Sequence, residues 1–332
     1  MTAEHSPPLF SIVIPVKNRS GLLIRALISL RNQTFQNFEV IVIDDHSDEN
    51  IVSATSLFGD INLRLVRQVD GKKGACAARN LGGLLARGNY IAYLDSDDIF
   101  LPGKLATIAA AISESQPDML ASPLLVYRGD DRLQLRPSRA PGVDEDISEF
   151  YFVHDERIQS SSIVVRREIA IQTGWNEALR KVQDPDFFIR ARRASQSLLF
   201  IAHPLAILFD DQADARISST SAEDSIRAWL DSPACPLSAR ARSGFKLYAL
   251  SHEVAKRSRV KAIAMTIQNA GSVHPKVVVK SVYRTLAPEW LFKKTAQAVA
   301  GRRNSASFQQ TYEYIQALTQ QSMTAREPHR CL

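Results

Sequence analysis

Residues Phe10 to Ser47 read FSIVIPVKNRSGLLIRALISLRNQTFQNFEVIVIDDHS. Phe10 to Val16 is an apolar run with Pro15 near its end, where a missing N–H does least harm, and it predicts a strand. Ser20 and Gly21 open a helix in which Leu22, Leu23, Ala26, Leu27 and Leu30 share one face, and Gln33-Thr34 mark its exit. Phe38 to Ile43 is a second strand, ending in Asp44-Asp45-His46-Ser47. Strand, helix and strand at this spacing make a βαβ unit, with a right-handed crossover and a parallel sheet. Ligands of such sheets sit beyond the carboxyl ends of the strands. Val16 to Arg19, Asp44 to Ser47 and, at the end of a later strand, Asp95 to Asp98 are therefore expected to line one crevice.

A third strand is predicted over Leu63 to Val69, and Gly71 and Gly74 break the chain after it. Ala75, Ala78, Gly82 and Leu85 then fall on one helix face, small enough to lie close to a sheet. Asn89 to Pro102 reads NYIAYLDSDDIFLP. Tyr90 to Leu94 is a buried strand by composition, and it stops at Asp95-Ser96-Asp97-Asp98. A buried strand cannot end in three carboxylates unless that end reaches solvent, a cation or helix N–H groups. Asp95 and Asp97, two apart on an extended chain, point the same way and can converge on one hard cation, Mg²⁺ or Mn²⁺. Alternatively, Asp97 or Asp98 caps a helix beginning near Pro102.

Beyond this point the pattern predicts a helix over Gly103 to Glu114, one strand over Met119 to Tyr127, and an exposed loop or irregular insertion over Arg128 to Asp146. A short strand at Ile163 to Val165 and a short helix at Arg167 to Gln172 follow. In Val182 to Arg190, Pro185 suits a first helical turn with Asp184 as its cap. Leu198 to Ile201 and Leu205 to Phe209 are two further strands. From Ser221 the periodicity is helical (Ala239 to Ala255, Val260 to Ile267, Val277 to Leu286, Trp290 to Ala300), and a boundary is placed near Thr220.

With 332 residues, 45% hydrophobic and 23% charged, the chain has the composition of a folded globular protein with room for one large α/β domain and an appendage. The opening MTAEHSPP has no basic stretch before an apolar core, and no apolar run approaches the roughly 18 residues of a membrane span, so a cytoplasmic location is expected. Cys76, Cys235 and Cys331 are widely spaced, without the pairing of a zinc site or a disulfide framework. The net charge of +6 is uneven: Ala255 to Arg303 holds eleven Lys/Arg against Glu289 alone, leaving the remainder acidic. A basic segment of this kind, with Val277, Val278, Trp290, Leu291 and Phe292 interspersed, suits either a solvated helical face or peripheral contact with an anionic membrane.

Five blocks in fixed order resemble the inverting GT-A glycosyltransferases of family 2. They are PVKN at Pro15 to Asn18, DDHS at Asp44 to Ser47, AARN at Ala77 to Asn80, DSDD at Asp95 to Asp98, and Gln183-Asp184 where the family has Glu-Asp. The resemblance covers roughly Phe10 to Ile217. It implies a GT-A-like α/β catalytic domain over residues 1–220, with a mainly parallel sheet flanked by helices, and a basic helical region over 221–332. It further implies a nucleotide-sugar donor, expected to be a UDP-sugar, and a glycan or lipid-linked acceptor in surface polysaccharide synthesis.

The same resemblance distributes roles. Asp45 would accept the imide N–H of uracil, while Asp44 either contacts the nucleotide or caps the following turn. Pro15, Val16, Lys17, Asn18, Asp95 and Ser96 would line the donor site, and Asp97 with Asp95 would hold Mn²⁺ or Mg²⁺. Asp184 would be the general base. Arg79 would meet phosphate or form a salt bridge on the helix surface. Lys17 replaces the family's base-stacking aromatic residue, and Arg216 stands where some relatives have a His. Asp186, inside the first helical turn, is expected to favour the helix dipole and to face away from the reaction. Two other functions compete with this one, a sugar-phosphate nucleotidyltransferase and a non-catalytic polyanion-binding protein. The first normally has a Gly-rich phosphate loop after its first strand, and no nucleic-acid motif accompanies the basic segment.

Overall fold

A computed structural model of the protein describes residues 7–129, 133–210, 223–287 and 306–326. Strand β1 (Phe10–Val16) pairs in parallel with β2 (Phe38–Asp44) and with β4 (Tyr90–Tyr93), and β3 (Leu63–Arg67) extends the sheet beyond β2. Val16 lies opposite Asp44, so the carboxyl ends of β1 and β2 are level, as the βαβ pattern requires. Every residue of β1 and β2 is buried, because helices cover both faces. Helix α1 (Ser20–Arg31) sends Leu23, Leu27 and Leu30 into the cluster that holds Ile12 and Ile14. Helix α3 (Ala75–Leu85) joins Val13 and Ile41 on the opposite face. Its Gly82 lies so close to β1 that a Cβ there would strike Val13, which is why small residues occupy that helix face.

The other half of the sheet contains an antiparallel strand. β9 (Ile163–Arg166) runs against both β4 and β6 (Met119–Ala121), and β6 pairs in parallel with β10 (Leu198–Phe200). The resulting seven-stranded order is β10-β6-β9-β4-β1-β2-β3. A second, four-stranded sheet is formed by β5 (Ile99–Phe100), β11 (Ala206–Phe209), β7 (Leu124–Tyr127) and β8 (Leu133–Arg136).

Several expectations are corrected. The single strand expected over Met119 to Tyr127 is two strands in different sheets, because Pro123 fixes its own φ and offers no N–H to continue the ladder. The insertion expected over Arg128 to Asp146 contains β8, held by antiparallel pairing with β7. Helix α4 (Lys104–Ser115) has Gly103 as its N-cap, so neither Asp97 nor Asp98 caps it. The helix expected over Ala239 to Ala255 is three consecutive pieces: α9 (Ala239–Phe245), one wide π-turn at Lys246–Leu250, and α10 (Ser251–Arg257).

The C-terminal helices share the core of the sheet. Ile226, Trp229 and Leu230 of α8 (Glu223–Asp231) and Phe245 of α9 are buried in the cluster that contains Val13 and Tyr93. Each such side chain contributes about 1.5–3 kcal/mol on burial. Gly244 sits against the carbonyl of Phe152 in α5 (Ile147–Phe152), leaving no room for a Cβ. Helices α11 (Arg259–Asn269) and α12 (Pro275–Leu286) continue this layer, while α13 (Ala306–Arg326) places Ile315 and Leu318 in the cluster of α1 on the opposite side. The boundary near Thr220, Arg216 and the helix expected at Trp290 to Ala300 lie outside the described residues.

Candidate active site

The loops after β1 and β2 tie each other down. The Asp45 N–H donates to Val16 O at 2.8 Å, and the Asn18 N–H to Ser47 Oγ at 2.9 Å. Asn18 has left-handed φ, and its side-chain oxygen accepts from the Asp48 N–H at 2.7 Å, so this side chain shapes the crevice. Pro15 and Val16 are buried in β1, and Lys17 is exposed at the crevice edge. Asp44 accepts the Ser47 N–H at 2.9 Å, the turn-capping arrangement. Asp45 is buried and accepts the Gly74 N–H through Oδ2 at 2.9 Å. Its Oδ1 is buried with no hydrogen-bond partner among the described residues. An orphaned carboxylate oxygen is costly unless a ligand donor meets it, and an imide N–H is such a donor.

Arg79 is the hub of the site. Instead of lying on the helix surface it is buried, with its guanidinium 4.4 Å from the Trp175 ring centroid. It donates to Asp95 Oδ1 at 2.5 Å and to Gln183 Oε1 at 3.4 Å, so the AARN, DSDD and Gln183-Asp184 blocks meet at one side chain. Asn80 braces the Trp175 loop from behind, accepting the Trp175 N–H at 2.6 Å and donating to Trp175 O at 2.9 Å. Asp95 also accepts from Ser160 Oγ at 2.7 Å, and its own N–H donates to Ser161 Oγ at 3.1 Å. Burial pushes the Asp95 carboxyl up, but Arg79 and the Ser160 hydroxyl outweigh it and hold the group below the usual range.

Asp97 turns to different partners. Arg19 donates to its carboxylate at 2.7 Å, and Arg25 to its backbone oxygen at 2.7 Å. Ser96 is buried between the two acids, and Asp98 accepts from Ser161 Oγ at 2.5 Å. Behind them Lys104, fully buried, donates to Ser161 O at 2.6 Å; burial pushes its pKa down to about 7, with Asp98 opposing.

The cap expected at Asp184 is corrected. Helix α7 (Gln183–Ala194) starts from Val182, whose φ of 58° makes the sharp entry, and Asp184 is inside the first turn. Its carboxyl faces Arg79, Asp95 and the backbone N–H of Ser160. Burial raises its pKa to about 6, with Arg79 opposing and Asp95 adding to the rise. Asp184 lines a cleft of about 910 Å³. Asp186 is corrected too. It is buried, accepts Trp229 Nε1 at 2.8 Å and is paired with Arg190 at 2.5 Å, so it anchors α8 to α7 instead of merely favouring a helix dipole.

Sequence reasoning placed Arg19 at the crevice without giving it a role, and missed Ser160, Ser161 and Trp175. The three serines Ser160 to Ser162 directly before a buried strand were the available signal, since hydroxyls at that position need partners.

The family described as Glycosyl transferase family 2 matches residues 11–195. The amylovoran biosynthesis glycosyltransferase AmsB of Erwinia amylovora is 32% identical over 254 residues, 73% of this chain and 83% of that protein. The putative colanic acid biosynthesis glycosyl transferase WcaA of Escherichia coli K12 is 37% identical over 105 residues, 31% of this chain and 37% of that one. In fold, the chain is similar to Staphylococcus aureus TarS residues 1–349 in complex with UDP-GlcNAc, with a TM-score of 0.60 at 18% identity, covering 81% of this chain and 82% of that one. With three of the five blocks meeting at Arg79 and the other two bonded to each other at the ends of β1 and β2, the chain belongs to glycosyltransferase family 2 and is a glycosyltransferase.

Proposed function

We propose that the protein moves a sugar, with inversion, from a UDP-sugar to a hydroxyl of a glycan or lipid-linked acceptor in polysaccharide synthesis. The observation that carries this reading is the Arg79 hub, which sets an ionised Asp95 beside an Asp184 whose pKa is raised to about 6. The biosynthetic names of AmsB and WcaA support the polysaccharide context, and the fold likeness to TarS is consistent with a nucleotide-sugar donor. Family membership disfavours the nucleotidyltransferase and polyanion-binding alternatives.

The buried, unpartnered Asp45 Oδ1 suits the uracil imide N–H, a donor that cytosine does not present in the same way. Two hard carboxylates, Asp95 and the partly exposed Asp97, suit Mg²⁺ or Mn²⁺. Such ions are commonly held by one or two protein carboxylates together with substrate phosphates and water, so a third protein ligand is not required. When bound, the ion would neutralise charge on the leaving diphosphate. Arg19, now on Asp97, is placed to exchange that carboxylate for phosphate.

Asp184 takes the proton of the acceptor hydroxyl as its oxygen bonds to the anomeric carbon, and the bond from that carbon to the diphosphate oxygen breaks. No helix among the described residues is long and apolar enough to cross a membrane. A peripheral position at a cytoplasmic membrane face is the location that fits a lipid-linked acceptor and the basic segment.

A panel of UDP-, GDP- and dTDP-sugars, assayed for slow metal-dependent hydrolysis, tests donor and metal together. UDP-sugars are expected to be cleaved fastest, with EDTA abolishing the reaction. Equal cleavage of all bases, or indifference to EDTA, would overturn that part of the reading.

A further inference from the structure

The cleft beside Asp184 runs from Arg79 and Asp95 to helices α10, α11 and α12. Neither Asp45 nor Asp97 lines it, yet it adjoins the crevice assigned to the nucleotide and shares Arg79 and Asp95 with it. Its wall is cationic. Seven Lys and Arg side chains face three carboxylates, Asp95, Asp184 and Glu253. Asp95 is paired with Arg79, and Glu253 serves both Lys181 at 3.4 Å and Lys256 at 3.0 Å. At the rim, Arg180 and Arg259 have no ion-pair partner among the described residues.

Beside the cleft wall, one carboxylate is shared by two cations, of which Arg157 lines the cleft. Arg157 donates to Asp155 Oδ1 at 2.7 Å and Lys280 to Asp155 Oδ2 at 2.7 Å. The Arg157 guanidinium also stands 3.8 Å from the Tyr248 ring centroid and bonds the Tyr248 hydroxyl. Arg136 adds a further charge. Burial, with Arg157 and Arg128, pushes its pKa down to about 10, and burial together with Arg157 likewise lowers Lys280. Cations gathered this closely repel one another in a partly dry site, and a bound oxyanion reverses that cost.

We propose that this cleft is the acceptor subsite, and that Arg157, Arg180 and Arg259 hold a phosphoryl group carried by the acceptor while Asp184 faces its hydroxyl. The proposal rests on the reading of Asp184 as the base. Arginine forks match phosphoryl oxygens two at a time, and a cleft of about 910 Å³ has room for a saccharide beside that group. The phosphoryl group belongs either to a prenyl diphosphate tail or to a phosphorylated saccharide.

Calorimetry on the full chain separates these, with geranyl diphosphate and glucose 1-phosphate as probes and methyl β-glucoside as the uncharged control. Each is titrated with and without saturating UDP and Mg²⁺. Binding of an ester while UDP occupies its own site is expected, weakening as salt is raised. The ester that binds more tightly identifies the source of the phosphoryl group. Arg157→Gln is expected to weaken ester binding roughly tenfold or more. Because Arg157 is also tied to Asp155 and Tyr248, Arg180→Gln/Arg259→Gln gives the same test without touching that network. Its expected loss is also roughly tenfold. The subsite is overturned if neither ester binds better than the glucoside, or if the rim pair leaves ester affinity unchanged. Failure of UDP itself to bind defeats the donor assignment alone, since the titrations without nucleotide still report the anion site.

Discussion

The crevice at the ends of β1 and β2 and the cleft beside α7 meet at Arg79 but are held in opposite ways. In the crevice, short loops bond directly to one another, Asn18 to Ser47 at the ends of the buried β1 and β2, and Asp45 to Gly74 at the start of α3. The cleft is walled by α7 and by C-terminal helices that reach it through Trp229 and Phe245. The two carboxyls beside Arg79 show what this difference does. Asp95 bonds the guanidinium directly and is held ionised, whereas Asp184 lies near it without a direct bond and is raised to about 6. One cation thus sets a fixed charge on the side proposed for the donor and a titrating group on the side proposed for the acceptor, and a base whose pKa lies near the working pH is the effective kind.

The largest expected effect follows from removing the proposed base. Asp184→Asn is expected to lower transfer by roughly 10²- to 10⁴-fold while UDP binding with metal is retained. Near-normal turnover would sink the assignment. The folded pKa of Asp184 lies above its unfolded value, so its stabilising contribution is full below about pH 4 and is lost as pH rises through about 6. Melting curves of the Asn variant against wild type are therefore expected to favour the variant more at pH 8 than at pH 5. Transfer by the wild type should fall about tenfold per pH unit below roughly 6. A flat profile from pH 5 to 8 would show that no group of this pKa carries the proton.

Asp186→Asn breaks the comparison at its structural end. It leaves Arg190 without its buried carboxylate partner and weakens the Trp229 anchor, at a cost of about 3 kcal/mol seen as a lower melting temperature. A stability unchanged within error would mean that α8 is not held through this contact. On the side proposed for the donor, Asp97→Asn replaces a proposed charged ligand by a neutral amide. It is expected to remove the metal-dependent part of UDP affinity, roughly tenfold. An affinity that stays equally metal-dependent would place the ion elsewhere.

These regions also differ in how far the sequence discloses them. Phe10–Val16, Ser20–Arg31 and Ala75–Leu85 fall where periodicity predicts, because each is a long apolar pattern whose partners are near in the chain. The crevice is legible for the same reason: βαβ order alone brings Val16 and Asp45 together. The burial of Arg79 was not, since its partners Trp175 and Gln183 come from about a hundred residues away. Asp184 was found by its block, but its position was misread, because a Val at left-handed φ is an improbable N-cap by any propensity. Trp229 reads as one more helical apolar residue; only the fold shows that it holds Asp186.

The smallest expected effect tests whether the two regions are coupled through one turn. Ser160 gives its hydroxyl to Asp95 Oδ2 at 2.7 Å and its backbone N–H to Asp184, so a single residue touches both carboxyls. Ser160→Ala keeps the backbone bond and removes only the hydroxyl, a loss of about 1 kcal/mol. Asp95 then loses one of the interactions that hold its pKa down, and its grip on Arg79 must carry the difference. Asp95 lies below the usual carboxylate range and stays ionised near pH 6 without the hydroxyl, so the charge that Asp184 senses is unchanged and the acid limb of the transfer profile is expected to stay in place. Turnover at pH 7 should fall only a few-fold, as Arg79 remains in place. An acid limb that shifts would show that the Ser160 hydroxyl itself couples the two carboxyls, whereas a fixed limb leaves Arg79 as the link between the two regions.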